Sequence, residues 1–157
     1  DSDPINNPDS VPEFNGVAQA DLACQSEATS GGFSGTYKAW LSTGTDDAKE
    51  TVAAGREYKN VNNVLIASNL ADLTNGDILA QILRRDGTTT GVNIWTGTYA
   101  DGTRNQGGTA TIFACVSWTG AGTGIKGNNA NTNSLWTYSL PNAVCTNNAR
   151  FYCFEQP

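Results

Sequence analysis

Residues 150–155 read RFYCFE, and this run decides the fold class. Aromatic side chains crowd around Cys153, and aromatic and β-branched residues are those that suit a pleated, half-buried strand. The same character recurs, moving back along the chain, in Ser134 to Tyr138 (SLWTY), Thr111 to Trp118 (TIFACVSW), Val92 to Thr98 (VNIWTGT), Val64 to Ala67 (VLIA) and Thr36 to Leu41 (TYKAWL). Each is expected to form a strand. Asn75-Gly76, Asp86-Gly87 and Asp101-Gly102 supply turn chemistry between them. Ile78 to Leu83 (ILAQIL) suits a strand or a helical turn equally well. Helical periodicity is confined to the first third. Val17, Ala20, Cys24 and Ala28 recur at intervals of three or four, which makes one apolar stripe with Cys24 on its inward face, and SGGFSG then ends the helix. Asp46 to Ala54 (DDAKETVAA) predicts a second short helix closed by Gly55.

Two stretches stand outside this pattern. Residues 1–15, DSDPINNPDSVPEFN, hold three of the five prolines among Asp and Asn, and read as a linker or extended arm ahead of a domain covering 16–157. Gly120 to Asn133 (GAGTGIKGNNANTN) reads as a long surface loop, too polar to pack and too glycine-rich for a regular element.

Composition narrows the function. A chain of 157 residues is one domain's length, and it buries roughly two thirds of the surface its unfolded form exposes. Charged residues make up 15% of it, against a usual ~25%. The net charge of -6 disfavours a grip on phosphate backbones, which draws on clustered Lys and Arg, so a nucleic-acid partner is not expected. No window approaches the ~20 apolar residues of a membrane span, and the first ten residues lack the basic and apolar regions of a leader, so the chain is expected to be soluble and mature. The absence of His removes serine triads and histidine-ligated zinc sites. With 19 Thr, 17 Asn and no Asn-x-Ser/Thr sequon, the surface reads as extracellular and leans towards a bacterial source.

Four cysteines, Cys24, Cys115, Cys145 and Cys153, at wide spacing with no CxxC pair read as two disulfides formed in an oxidising compartment. Three connectivities are open to them on spacing alone.

The order of landmarks is informative beyond any single one. A helix bearing the first cysteine, then YKAWLS (37–42), IWTGTYADGT (94–103), a cysteine three residues before a Trp (Cys115, Trp118), and finally YCFEQ (152–156) resembles the endostatin-like, C-type-lectin-like domain of bacterial surface lipoproteins and secreted proteins. The resemblance spans about nine tenths of the chain. It implies an α+β fold with two helices flanking a twisted, mostly antiparallel sheet, and two nested disulfides, Cys24 with Cys153 and Cys115 with Cys145. It also implies where sugar-binding relatives hold calcium, in a Glu-Pro-Asn or Gln-Pro-Asp triplet with Trp-Asn-Asp. Neither triplet occurs here, and no Asp or Glu lies between Asp101 and Glu155, so calcium-dependent sugar binding in the long loop is not expected.

Function is therefore expected to be non-enzymatic. Asp72, Asp77, Asp86 and Asp101 all sit in turn-forming contexts, and no GxSxG or SxxK motif frames a nucleophile. The expected activity is extracellular or cell-surface binding and adhesion, recognising a protein or glycan without a cofactor. Asn128, Asn129, Asn131 and Asn133 offer donors and acceptors for that ligand, and Trp136 and Tyr99 offer rings at loop boundaries. Asp1, Asp3 and Asp9 resemble part of an aspartate-rich calcium repeat, a weak metal candidate. The alternative is structural: a secreted, self-assembling subunit whose residues 1–15 dock on a neighbouring copy.

Overall fold

The computed structural model describes residues 16–105, 114–120, 122–145 and 150–156. The arm, its candidate calcium ligands Asp1, Asp3 and Asp9, and Thr111 to Phe113 of the expected TIFACVSW strand lie outside the described residues.

The apolar stripe folds as α1, Val17–Ser30, with Ala20, Cys24 and Ala28 buried along it and Gly31 capping its end. Two further helices are single turns, α2 at Ala48–Thr51 and α3 at Leu70–Leu73. α2 is shorter than the Asp46 to Ala54 span expected, because Val52 turns to an extended backbone. α3 is too short to show a period in the sequence; its start is Asn69, whose side chain accepts from the Asp72 N–H at 3.0 Å.

Among the described residues, eight strands form three sheets: β1 (Thr36–Ala39) with β8 (Cys153–Gln156), β2 (Tyr58–Lys59) with β3 (Leu65–Ala67), and a four-stranded sheet ordered β6-β5-β4-β7. In the last, β4 is Asn93–Trp95, β5 is Thr123–Asn128, β6 is Leu140–Val144 and β7 is Arg150–Phe151. The β4/β7 pairing is parallel; the others are antiparallel. The RFYCFE run is thus two strands, not one. Tyr152 is the joint, its carbonyl accepting from the Trp40 N–H at 2.9 Å as the chain passes from β4's side to β1's.

Strand alternation feeds two cores. Ala39 and Leu41 point into one, with Cys24, Trp95, Cys115 and Trp118, while Trp40 between them points into the other, with Ile66, Ile94, Trp136 and Phe154. All four tryptophans are 0–1% exposed. Hydroxyls stitch the layers where charges are scarce: Trp40 Nε1 donates to Thr137 Oγ1 (3.0 Å), Thr96 Oγ1 to the Thr137 carbonyl (2.7 Å), and Tyr152 OH to the Trp136 carbonyl (2.8 Å).

The structure corrects three further sequence expectations. Gly120 to Asn133 is not one long loop: its middle is β5, an inner strand of the four-stranded sheet, with Gly124, Ile125, Lys126 and Gly127 all buried. The glycines are there for close approach. A Cβ on Gly124 would stand 2.7 Å from the Trp95 ring, and one on Gly127 would overlap the Trp136 carbonyl. Ser134 to Tyr138 is not a strand but a 3₁₀ turn at Ser134–Trp136, seated by Asn133 Oδ1, which accepts from the Leu135 N–H. Cys115 to Trp118, expected in a strand, makes a left-handed turn with φ of 49°, 55°, 53° and 66°. L-residues hold that conformation only when surroundings fix it. Here the fixings are the Cys115–Cys145 disulfide and the Trp118 indole, which donates to the Ser42 carbonyl at 2.8 Å.

The disulfides are nested, Cys24–Cys153 enclosing Cys115–Cys145. The outer one staples the inward face of α1 to β8.

Candidate functional site

That staple sets one wall of a cleft. The C-terminal half of α1, strand β8, β2 with the turn after it, and the segment 82–85 line it, around a volume of about 760 Å³. The size suits a small ligand or a few residues of a peptide. Its floor is apolar, with Ile66, Ile82, Ile94 and Phe154. Ile66 and Phe154 are the buried residues that β3 and β8 contribute to it.

The rim is basic. Arg56, Lys59, Arg84, Arg85 and Arg150 line it, five of the chain's nine cations, against three acids, Glu27, Glu57 and Glu155. On a chain of net charge -6, this is a local surplus of positive charge. The acids orient the cations. Arg56 Nη2 meets Glu155 Oε2 at 2.8 Å, Lys59 Nζ meets Glu57 Oε2 at 2.9 Å, and Arg85 Nη1 meets Glu27 Oε2 at 3.2 Å. Glu27 is 4% exposed, so its carboxylate anchors Arg85 from within. An Arg fork has five N–H groups, and one carboxylate does not exhaust them. Burial raises the phenol pKa of Tyr37, helped by Glu155 and opposed by Arg56; burial also raises that of Tyr58, again opposed by Arg56. Both phenols therefore stay neutral beside the cleft, the Tyr58 hydroxyl donating to the Ala53 carbonyl.

The expected binding residues are dispersed by comparison. Asn129 alone lines the cleft; it is 3% exposed and its Oδ1 accepts from the Val92 N–H at 3.0 Å. Asn128 donates to the Gly91 carbonyl and accepts from the Ala130 N–H, and Asn133 caps the 3₁₀ turn. Three of the cluster thus hold the backbone around β5. Asn131 is half-buried in the turn after β5, with its N–H on the Asn128 carbonyl. Trp136 is fully buried, 5.5 Å from Trp40 and 5.7 Å from Tyr152 between ring centroids, so its faces pack in the core and offer nothing to a ligand. Tyr99 is half-buried, its ring tilted against Tyr138 with centroids 5.0 Å apart, and its OH donates to Asn105 Oδ1 at 2.7 Å.

Three of the four turn-region acids, Asp72, Asp86 and Asp101, accept local hydrogen bonds. Asp86 Oδ1 accepts from Thr88, Asp101 Oδ1 from Thr103, and Asp72 Oδ2 from the Ser68 N–H. Among the described residues, no three Cys, Asp or Glu side chains gather where they share an ion, and no helix is long and apolar enough to cross a membrane.

Sequence reasoning misses the cleft arginines. They come from three separated places, residues 56, 84–85 and 150, with no motif or period to join them. Their one signal is arithmetical: four of the chain's five Arg line the cleft, in a chain otherwise poor in cations.

No known family matches this chain, and no curated protein is similar to it in sequence. The cleft itself is thus the guide to function.

Proposed function

We propose that the domain is a non-enzymatic binding module, working outside the cell or at its surface in adhesion or recognition, and that it docks a protein or glycan in the cleft between α1, β8 and β2. The observation that carries this is the pairing of an apolar floor with an oriented basic rim in one 760 Å³ concavity. The two disulfides point to an oxidising setting. The same features support a C-type-lectin-like reading of the fold: the first helix is tied to the last strand, that strand pairs with β1, and the second disulfide is nested within the first.

The test is binding of the purified chain to glycan and peptide arrays, repeated with Ile82→Asp. Ile82 is partly buried on the cleft floor, and a carboxylate there opposes both apolar contact and an anionic ligand. A ligand bound by the parent chain and lost in the variant at unchanged melting temperature supports the reading. A ligand bound equally by both places the site elsewhere.

A further inference from the structure

We infer that the cleft receives a few residues from within the 1–15 segment of a second copy of this chain, joining copies head to tail; this rests on reading the cleft as a binding site. Three observations carry it.

The first is charge. The cleft lining carries five cations and three acids on a molecule of net charge -6. Residues 1–15 carry Asp1, Asp3, Asp9 and Glu13 and no cation, so they are opposite in sign to the cleft. Carboxylates matched to guanidinium forks make the stronger hydrogen bonds of this class.

The second is the floor. Sugars stack on exposed indoles, but every Trp is buried and none lines the cleft. Ile66, Ile82, Ile94 and Phe154 instead suit the side chains of Ile5, Val11 and Phe14, which are interspersed with the acids of the first fifteen residues. One segment thus offers both kinds of contact.

The third is reach. Gly16 opens α1 and donates its N–H to the Trp118 carbonyl, whereas Cys24, Glu27 and Ala28, eight to twelve residues on, line the cleft. At 1.5 Å per helical residue the helical wall of the cleft lies about 12–18 Å from Gly16, and fifteen extended residues span up to about 50 Å, enough to enter the cleft of a neighbouring copy. A contact between two different surfaces of identical copies does not close on itself unless the rotation happens to, so it propagates.

The test uses two full-length variants. One blocks the cleft at exposed positions with Lys59→Glu and Val61→Asp, and the other reverses the segment with Asp3→Lys, Asp9→Lys and Glu13→Lys. Light scattering on the parent chain should show mass rising with concentration, and this should weaken at about 0.5 M salt as charges are screened. Each variant alone should be monomeric. Their equimolar mixture should give a dimer and stop there, because only one good segment and one good cleft remain. A monomeric parent, variants that assemble alone, or a silent mixture would overturn the inference. A labelled peptide of residues 1–15 that binds the segment-reversed variant while the parent is monomeric overturns assembly but leaves the cleft as a binding site. An array ligand lost in Ile82→Asp with no peptide binding overturns the choice of occupant alone. If neither ligand nor peptide needs the cleft, both readings fall.

Discussion

Replacing Gly127 by Ala should destabilise the domain severely, although the residue sits in a stretch that looks like a surface loop. A Cβ at Gly127 would overlap the Trp136 carbonyl oxygen and lie 2.6 and 2.7 Å from the Trp136 carbonyl carbon and Thr137 Cα. Those are backbone atoms, so no rotamer change relieves the contact. They would have to withdraw by about 1 Å to reach the ~3.5–4.0 Å of an unstrained carbon pair. Overpacking of this kind costs about 1–3 kcal/mol. The withdrawal also disturbs the bonds that Trp40, Thr96 and Tyr152 make to Trp136 and Thr137, each contributing about 1 kcal/mol. The combined loss is about 3–5 kcal/mol, or a fall of about 6–20 °C in melting temperature for a chain of this size. Gly120→Ala is the control, since nothing lies within 4 Å of its Cβ, and it should stay within about 0.5 kcal/mol. Thermal unfolding monitored by near-UV circular dichroism, disulfides intact, reads both. Equal melting temperatures for the two variants would refute the placement of β5 in the core.

The disulfides, the buried lysine and the phenols give further expectations. Removing the outer disulfide with Cys24→Ala/Cys153→Ala frees a loop of 129 residues' separation, against 30 for Cys115→Ala/Cys145→Ala, so chain entropy predicts losses of about 5 and 4 kcal/mol. Chemical denaturation of the two variants should rank them in that order, and the reverse would show that the left-handed turn depends on its disulfide for more than entropy. Lys126 is 3% exposed, its Nζ 4.0 Å from the Trp95 ring centroid, and burial lowers its pKa. The cost of burying its charge is fully present below the folded pKa and is relieved as pH rises towards 10.5. Lys126→Met should therefore stabilise at pH 7, by about 1 kcal/mol, and less in alkali; destabilisation at pH 7 would mean that the attraction to the ring wins. Burial raises the phenol pKa of Tyr37, Tyr58, Tyr99 and, most of all, Tyr152. Stability from these groups is complete below pH 10 and lost as pH climbs above it. Phenolate absorbance should accordingly rise together with loss of the circular dichroism signal; complete ionisation near pH 10 with the fold intact would contradict the burial.

Periodic elements are the legible ones in this sequence. The stripe from Val17 to Ala28 gives α1 its inward face, and the alternation of Ala39, Trp40 and Leu41 places β1 between two cores. β5 is not legible, because both its faces are buried and its apolar mass belongs to partners. Trp95 and Trp136 fill the space that Gly124 and Gly127 leave, so Gly-Ile-Lys-Gly has no hydrophobic pattern of its own. The left-handed turn at Cys115 to Trp118 is likewise imposed from outside, against local preference. The Asn-rich stretch reads as a ligand surface because amides offer donors and acceptors, but amides next to tight turns are taken first by the backbone beside them. The cleft is illegible for another reason. Its rim is assembled from residues up to 94 positions apart, Arg56 to Arg150, which only the folded chain brings together.

The central claim is that the cleft, and not the Asn-rich turn, is where this domain binds an acidic segment. The direct measurement is amide chemical-shift mapping on the isotope-labelled, segment-reversed chain as a peptide of residues 1–15 is added. Shifts should appear at Tyr58 to Val61, Ile82 to Arg85 and Phe154 to Glu155, and grow weaker with salt. Shifts gathered instead at Asn131, Asn133 and Tyr99, or none at all, would contradict it.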